Sequence, residues 1–260
     1  MCELFGMSSK LPTNVTFSIS VFGERGGHRG PHRDGWGIAF NEGHDFRIIK
    51  EAAPASDSAC LRFIEGHDFK SRIVISHIRR ASDPTSPSFT NSHPFARELY
   101  GLTHVFAHNG DVRSVFADSR FAPNYYFAQG DTDSERAFCS LMDRLRAALS
   151  PDTAVDLSVK LPIIEEWALE VSKFGIFNFL LSDSRYLYAH RSTHLFYVQR
   201  ECVSQTECLK SEELTIRLAQ DSNGSQRVAA VATEPLTGDE EWQSLPEARV
   251  VAFLHGEKIR

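Results

Sequence analysis

The sequence has no long hydrophobic run and no block of like charges. No uninterrupted stretch of 18 apolar residues occurs, and the N-terminal segment lacks the charged and apolar regions of an export signal. These absences predict a protein that neither spans a membrane nor is exported, so we expect a cytoplasmic location. A net charge of -6 without a run of like charges also argues against a nucleic-acid or anionic-membrane partner.

Cysteine is scarce, and its spacing is not paired. The cysteines are odd in number and show no C-x-x-C spacing, which argues against a disulfide framework and against a thiolate zinc site. They are Cys2, Cys60, Cys139, Cys202 and Cys208. A length of 260 residues with 42% hydrophobic residues is typical of a globular protein, and no linker divides the chain clearly. We therefore expect one domain over residues 1–260.

Cys2 directly follows the initiator methionine. Removal of Met1 would expose a residue that carries a thiol and a free α-amine on the same carbon. An α-amino group titrates near ~7.7–8.0, well below the ~10.4 of a lysine ammonium, so a useful fraction is basic at neutral pH. The amine could then activate the thiol as a nucleophile. The alternative is a small apolar residue that enters a first strand.

Apolar periodicity indicates strands in both halves of the chain and two amphipathic helices between them. The helices are predicted at Asp133–Leu149 and Leu161–Val171, where Pro162 starts or kinks the second one. Val15–Phe22 fits either a strand or a helix. Strands are predicted at Trp36–Phe40, Phe46–Lys50, Arg72–Ile78, Leu102–His108, Phe177–Leu181, Tyr186–His190, Leu195–Val198, Thr215–Leu218, Val228–Ala232 and Arg249–Leu254. This order is typical of an α+β fold with helices packed on antiparallel sheets.

Four polar clusters follow Cys2 in a fixed order. They lie at Ser76–Ser82, Asn91–Phe95, Ala107–Asp111 and Gly130–Glu135. Together with Cys2 and the Asp-Gly-Trp-Gly-Ile-Ala-Phe segment that starts at Asp34, they resemble the class II glutamine amidotransferases of the N-terminal-nucleophile hydrolase group, and the stand-alone bacterial members in particular. The resemblance implies a four-layer αββα sandwich of two antiparallel sheets flanked by helices, with a mature chain that begins at Cys2.

The resemblance also implies the reaction. The Cys2 thiol would attack the γ-carboxamide of L-glutamine, form a thioester and release ammonia for an acceptor. Two alternatives remain open: a γ-glutamyl amide hydrolase that acts on a γ-glutamyl peptide or conjugate, and a non-catalytic glutamine-binding subunit. The expected partners are L-glutamine or a γ-glutamyl compound and a separate ammonia-acceptor protein, while the oligomeric state is open.

The Asn109-Gly110 pair has two interpretations. An Asn-Gly dipeptide after an apolar strand predicts a type I′ hairpin turn. A side-chain amide followed by a glycine N–H can equally stabilise a developing oxyanion, because both are donors and the glycine has no Cβ to block approach. The resemblance implies this second role for the Asn109 side chain and the Gly110 backbone N–H.

Arg79 and Asp133 are the candidates for recognition of the amino-acid head group. Arg79 closes a strand and could simply extend into solvent, but a guanidinium can also hold a carboxylate through two parallel hydrogen bonds. Asp133 lies within a Thr132–Glu135 segment that reads as a helix capping box. Thr132 and Glu135 suffice for capping, which leaves Asp133 free to face a pocket. The resemblance implies that Arg79 binds the α-carboxylate of glutamine and Asp133 its α-ammonium.

Several histidines invite a metal interpretation. His77, His93 and His108 fall at strand ends, but their spacing is not compact, so we expect no metal site, and no cofactor follows from the sequence. The resemblance implies that His93 shapes the pocket and that Ser82 forms hydrogen bonds near the substrate. His77 and His108 are predicted to be hydrogen-bonded core residues.

Overall fold

The computed structural model describes residues 2–27, 30–80, 88–202, 208–210, 215–217 and 226–260. The helices are α1 (Thr16–Arg25), α2 (Ala59–Gly66), α3 (Asp133–Ala148) and α4 (Leu157–Val171). The strands are β1 (Glu3–Asn14), β2 (Trp36–Asn41), β3 (Phe46–Glu51), β4 (Lys70–Ile78), β5 (Phe95–Leu99), β6 (Leu102–Asp111), β7 (Ile176–Ser182), β8 (Leu187–His190), β9 (Phe196–Cys202), β10 (Cys208–Lys210), β11 (Thr215–Arg217), β12 (Gln226–Ala232), β13 (Gln243–Ser244), β14 (Val250–Leu254) and β15 (Glu257–Lys258).

The strands form two large antiparallel sheets and one small hairpin. The first sheet has the order β13-β9-β12-β1-β4-β2-β3, and the second has the order β15-β14-β8-β7-β6-β5. Strands β10 and β11 pair with each other. In the first sheet β1 lies between β12 and β4, with Glu3 opposite Ile78. The N-terminus of β1 therefore meets the C-terminal end of β4, where the Arg79 segment begins.

Three apolar clusters define four layers. Because alternate residues of a strand face opposite sides of a sheet, Phe5 packs under α1 and α2 while its neighbour Leu4 points between the sheets. Leu4 packs there with Ala107 of β6. On the far side of the second sheet, Phe106 stacks on Phe138 of α3 at 5.1 Å between ring centroids. The predicted α+β sandwich of two antiparallel sheets flanked by helices is confirmed.

Two helices differ in detail from the sequence prediction. The segment Val15–Phe22 belongs to helix α1 from Thr16 onward, with Val15 as its N-cap, and the spacing of Val15, Ile19 and Phe22 buries all three side chains against the first sheet. Helix α4 begins at Leu157 rather than at Leu161, since the Asp156 side chain accepts a hydrogen bond from the Ser158 N–H and caps the helix there. Pro162 therefore lies inside the helix, and the prediction that it starts the helix is wrong.

No helix in the described part of the chain is both long and apolar enough to cross a membrane.

Candidate active site

A cavity of about 180 Å³ opens at one end of the space between the sheets. Leu4 and Ala107 face this space, and residues two positions apart on a strand share a face. Cys2, just before β1, and Asn109, near the end of β6, therefore lie at the same end of the sandwich. Five of the predicted catalytic and substrate-binding residues line the cavity: Cys2, Arg79, His93, Gly110 and Asp133. Ser82 lies outside the described residues.

The Cys2 thiol lies against the backbone of Arg80. Its sulfur accepts a hydrogen bond from the Arg80 N–H at 3.2 Å and lies 3.3 Å from the Arg80 carbonyl oxygen. Burial raises the pKa of the Cys2 thiol, and the opposing effects of the Arg80 N–H and the Arg79 guanidinium do not cancel that rise. A raised pKa favours the thiol form, which needs a base before it can act as a nucleophile.

Arg79 is held by the glycine-rich segment that precedes β2. The Arg79 backbone N–H donates to Gly35 O at 2.8 Å, and its Nη1 donates to Asp34 O at 3.3 Å. Gly35 has a φ of +138°, and a Cβ there would lie 2.7 Å from the Ser92 hydroxyl, so the position requires glycine. Arg79 is only 7% exposed, and its guanidinium is held at the cavity wall.

The Asp133 carboxylate lines the cavity and is also bound by two N–H groups. Its Oδ2 accepts from the Val112 N–H at 2.6 Å, and its Oδ1 accepts from the Ser134 N–H at 2.8 Å. Asp133 therefore faces the cavity, as the sequence predicted, although its carboxylate also accepts these backbone bonds. An ionised carboxylate has about four acceptor positions, so two bonds leave capacity for a ligand.

The start of α3 forms only half of the predicted capping box. Thr132 is the N-cap, and its hydroxyl accepts from the Glu135 N–H at 3.1 Å. The Glu135 side chain does not return to Thr132. It accepts instead from the Gly130 N–H at 2.8 Å and pairs with Arg97 at 2.6 Å.

Asn109 and Gly110 do not form a hairpin turn. Both lie within β6, opposite Asn178 and Phe177 of β7. The sequence prediction of a type I′ turn is wrong, because pairing with β7 carries the strand through the Asn-Gly dipeptide. Position 110 requires glycine because the backbone of Ile176 lies too close for a side chain. A Cβ at position 110 would lie 1.8 Å from the Ile176 carbonyl oxygen.

The Asn109 side chain is fully buried behind the cavity. Its Nδ2 donates to the Thr233 hydroxyl at 3.5 Å, and its Oδ1 has no hydrogen-bond partner. Gly110 lines the cavity itself. Of the two predicted oxyanion donors, Gly110 therefore lies at the cavity wall, while the Asn109 carboxamide is buried next to Thr233.

Two histidines near the cavity, His77 and His93, are buried against each other. His93 is 4% exposed and its ring packs against His77 at 4.1 Å between centroids with a tilt of 37°, and no ring nitrogen of either has a hydrogen-bond partner. Burial, with His108 and Arg79 nearby, lowers the pKa of His77 to about 3. The hydrogen-bonding prediction is therefore wrong for His77.

His108 is hydrogen-bonded, as predicted. Its Nδ1 lies 2.8 Å from the Ser134 hydroxyl, and its Nε2 lies 3.2 Å from Ile176 O. Across the described ranges, no three His, Cys, Asp or Glu side chains are placed to hold a metal ion.

Some cavity residues were not predicted from the sequence. Asn91 lines the cavity, and its Oδ1 accepts from the Asp131 N–H at 2.9 Å. Arg113 and Phe116 reach it from a short 3-10 turn between β6 and α3. Asn91 opens one of the recognised clusters, which was a usable signal, but nothing in the local sequence marks Phe116 as a cavity residue.

Comparison with known proteins identifies the family. The family model for class II glutamine amidotransferases matches residues 1–260. The chain therefore belongs to the class II glutamine amidotransferases, enzymes with the N-terminal-nucleophile hydrolase fold.

Relatives of similar length support this assignment. The "Putative glutamine amidotransferase YafJ" of Escherichia coli K12 is 36% identical, and the match covers 100% of both chains. A Haemophilus influenzae protein of the same description is 33% identical over 100% of this chain and 86% of its own length. The crystal structure of a "predicted glutamine amidotransferase" from Pseudomonas aeruginosa PA01 matches with a TM-score of 0.75 at 35% identity, over 100% of both chains.

A more distant structure shares the fold alone. Glutamine phosphoribosylpyrophosphate amidotransferase from Bacillus subtilis matches 99% of this chain and 48% of its own, with a TM-score of 0.66 at 15% identity.

Proposed function

We propose that the chain hydrolyses the γ-carboxamide of L-glutamine, with Cys2 as the nucleophile once Met1 is removed. The observation that carries this proposal is the meeting of Cys2, Arg79, Gly110 and Asp133 around one cavity, although they come from distant parts of the chain. The cavity holds a thiol, a cation and an anion. Free glutamine presents the matching groups: an electrophilic amide, a carboxylate and an ammonium.

The Cys2 α-amine takes the thiol proton, and the thiolate attacks the γ-carbonyl carbon. This base is needed because burial raises the pKa of the Cys2 thiol. The carbonyl oxygen becomes negative and accepts hydrogen bonds from the Asn109 amide and the Gly110 N–H. The protonated amine then passes its proton to the leaving ammonia, and water hydrolyses the γ-glutamyl thioester to glutamate and free Cys2.

The amino-acid head group is bound by opposite charges. The Nη1 of Arg79 donates a hydrogen bond to Asp34 O. The other N–H donors of the guanidinium can then bind a carboxylate. The Asp133 carboxylate accepts the α-ammonium in addition to its two backbone bonds. The distance from Arg79 and Asp133 to the Cys2 thiol sets the side-chain length of the substrate. The shorter side chain of asparagine would not bring its carboxamide to the thiol.

Replacement of Asn109 by alanine tests the oxyanion donor. We expect Asn109→Ala to fold normally, because the lost side chain makes only one long hydrogen bond and its oxygen makes none. Loss of one oxyanion donor lowers kcat by about 10²–10³-fold, or about 2.7–4 kcal/mol. Steady-state glutaminase assays measure the change, with Asn41→Ala outside the cavity as the control. Wild-type turnover in Asn109→Ala would end this assignment.

Replacement of Arg79 by lysine tests the carboxylate site. Lysine keeps the charge but loses the paired hydrogen-bond geometry, so we expect KM for glutamine to rise more than kcat falls. Arg72→Lys is the matched control, because Arg72 is an exposed arginine of β4 that does not line this cavity. Unaltered kinetics in Arg79→Lys would place the glutamine carboxylate elsewhere.

A γ-glutamyl conjugate is the second candidate substrate. Phe116 lines the cavity while 49% exposed, and it offers an apolar contact that departing ammonia does not need. A larger leaving group could use that contact. A comparison of kcat/KM for glutamine and for γ-glutamyl conjugates in the wild type and in Phe116→Ala separates the candidates. A loss in Phe116→Ala confined to conjugates would favour the conjugate as substrate.

A further inference from the structure

Thr233 connects the end of β12 to the beginning of β1. Its backbone N–H donates to Leu4 O at 3.1 Å, and its hydroxyl oxygen accepts from the Leu4 N–H at 2.8 Å. Thr233 is only 6% exposed. These two bonds fix the hydroxyl two residues from Cys2, on the strand that carries the proposed nucleophile.

The Asn109 carboxamide next to this hydroxyl is hydrogen-bonded through its nitrogen but not through its oxygen. Two donors, the Leu4 N–H and the Asn109 amide nitrogen, point at the single Thr233 oxygen, while the buried Asn109 Oδ1 has no partner. A buried acceptor without a partner is unfavourable, because it has lost its hydrogen bonds to water. A half-turn of the Asn109 carboxamide exchanges its oxygen and nitrogen, which have nearly the same shape. Thr233 then accepts from the Leu4 N–H and donates its own proton to Asn109 Oδ1.

The same half-turn frees the Asn109 amide nitrogen. Both of its N–H groups then lie at the buried position of Oδ1, which has no partner in the described part of the chain, so they lack an acceptor until an oxyanion forms. The Asn109 backbone does not need to move, because Asn178 Nδ2 donates to Asn109 O at 3.2 Å and holds the main chain. Asn178 is itself fixed, since its Oδ1 accepts from the Ser192 and Thr193 N–H groups.

We infer that Thr233 is a positioning residue for the oxyanion donor. Its hydroxyl donates a hydrogen bond to the Asn109 carboxamide oxygen. This bond directs the amide nitrogen towards the oxyanion that forms in the acyl-transfer step. Thr233 does not touch the substrate and acts through Asn109. This inference rests on the proposed glutaminase activity.

Removal of the Thr233 hydroxyl provides the test. Thr233→Val keeps the side-chain shape but can neither hold Oδ1 nor accept from Leu4. We expect kcat for glutamine to fall about 10–100-fold, as for a misplaced catalytic group, with KM little changed. Thr233→Ser retains the hydroxyl and restores most of kcat. Thr237→Val, which removes a buried hydroxyl outside the cavity, is the control for effects on packing.

Two further measurements separate positioning from structural damage. In an Asn109→Ala background, Thr233→Val should lower kcat no further, because residues that act as one unit are not additive. Alkylation of Cys2 by iodoacetamide attacks a methylene carbon and forms no oxyanion, so its rate should stay the same in Thr233→Val. If the valine variant does not fold, Thr233→Cys is used instead. The cysteine thiol is a weak donor and a weak acceptor, so we expect a loss of kcat between those of the serine and valine variants.

The outcomes are distinct. Undiminished kcat in Thr233→Val, equal losses in the valine and serine variants, or a parallel loss of Cys2 alkylation would each overturn the positioning role. A wild-type protein without glutaminase or γ-glutamyl hydrolase activity would instead overturn the proposed function.

Discussion

Replacement of Cys2 by alanine is expected to lower kcat for glutamine hydrolysis by about 10⁴-fold or more, since Cys2 is the one cysteine among the described side chains that lines the cavity. Glutamine should still bind, because Arg79 and Asp133 remain in place. Alanine at position 2 is small, so removal of Met1 is not prevented. Steady-state assays give kcat, and calorimetric titration with glutamine gives Kd for the inactive variant.

Cys60→Ala is the matched control for the thiol. Cys60 is also partly buried, and burial raises the pKa of its thiol, but it does not line the cavity. We expect its turnover to equal that of the wild type. A chain with an uncleaved extension before Cys2 should be as inactive as Cys2→Ala and should recover when a protease exposes Cys2. Full activity with the extension in place would contradict a role for the α-amine.

Replacement of Asp183 by asparagine is expected to cost about 3–5 kcal/mol of unfolding free energy, because it leaves the Lys160 ammonium buried without its partner. Lys160 of α4 and Asp183 after β7 form a salt bridge, and neither side chain is more than 1% exposed. The Tyr188 hydroxyl also donates to Asp183 Oδ2 at 2.9 Å. Urea unfolding measures the loss. Glu42→Gln, which breaks an exposed pair with Arg47, should cost at most about 1 kcal/mol.

A second variant distinguishes buried charge from lost shape. Asn at position 183 can still accept the backbone bonds from the Arg185 and Tyr186 N–H groups. In a Lys160→Met background Asp183 is itself the buried charge without a partner, so Asp183→Asn should be neutral or stabilising there. Equal costs of Asp183→Asn in both backgrounds would show that the salt bridge is not what the variant breaks.

The salt bridge also predicts the effect of acid. Burial alone would raise the pKa of the Asp183 carboxyl, but the Lys160 ammonium and neighbouring donors hold that pKa below its usual value. A depressed folded-state pKa stabilises the protein above the unfolded value near ~3.9, and this stabilisation is lost as pH falls through the lower, folded value. The wild type should therefore lose more stability on acidification than the Lys160→Met, Asp183→Asn double variant.

The fold was predictable where pattern and local chemistry agree. The apolar stretch of β4 and the apolar face of α3 indicated a strand and a helix that the structure contains. Val15–Phe22 was ambiguous because its spacing fits both periods, and only burial against the first sheet decides for a helix. The prediction of a turn at Asn109-Gly110 was wrong because strand pairing with β7, which is distant in the sequence, outweighs the local preference for a turn.

The candidate site was predictable through its ordered motifs and less so through local rules. The motifs indicated Cys2, Arg79, Gly110 and Asp133, which do line one cavity. Their chemical roles remain predictions. Phe116 and the Thr233 hydroxyl could not be found from sequence, because no local pattern shows that Phe116 faces the cavity or that Thr233 contacts Leu4 and Asn109.

Mass analysis of the protein after reaction with a glutamine-analogue diazoketone tests the central claim most directly. The account predicts one adduct, on the sulfur of Cys2, in a chain that has lost Met1 and has a free α-amine, with glutamine protecting against the reaction. An adduct on Cys60 or Cys139, or an active protein that retains Met1, would contradict it.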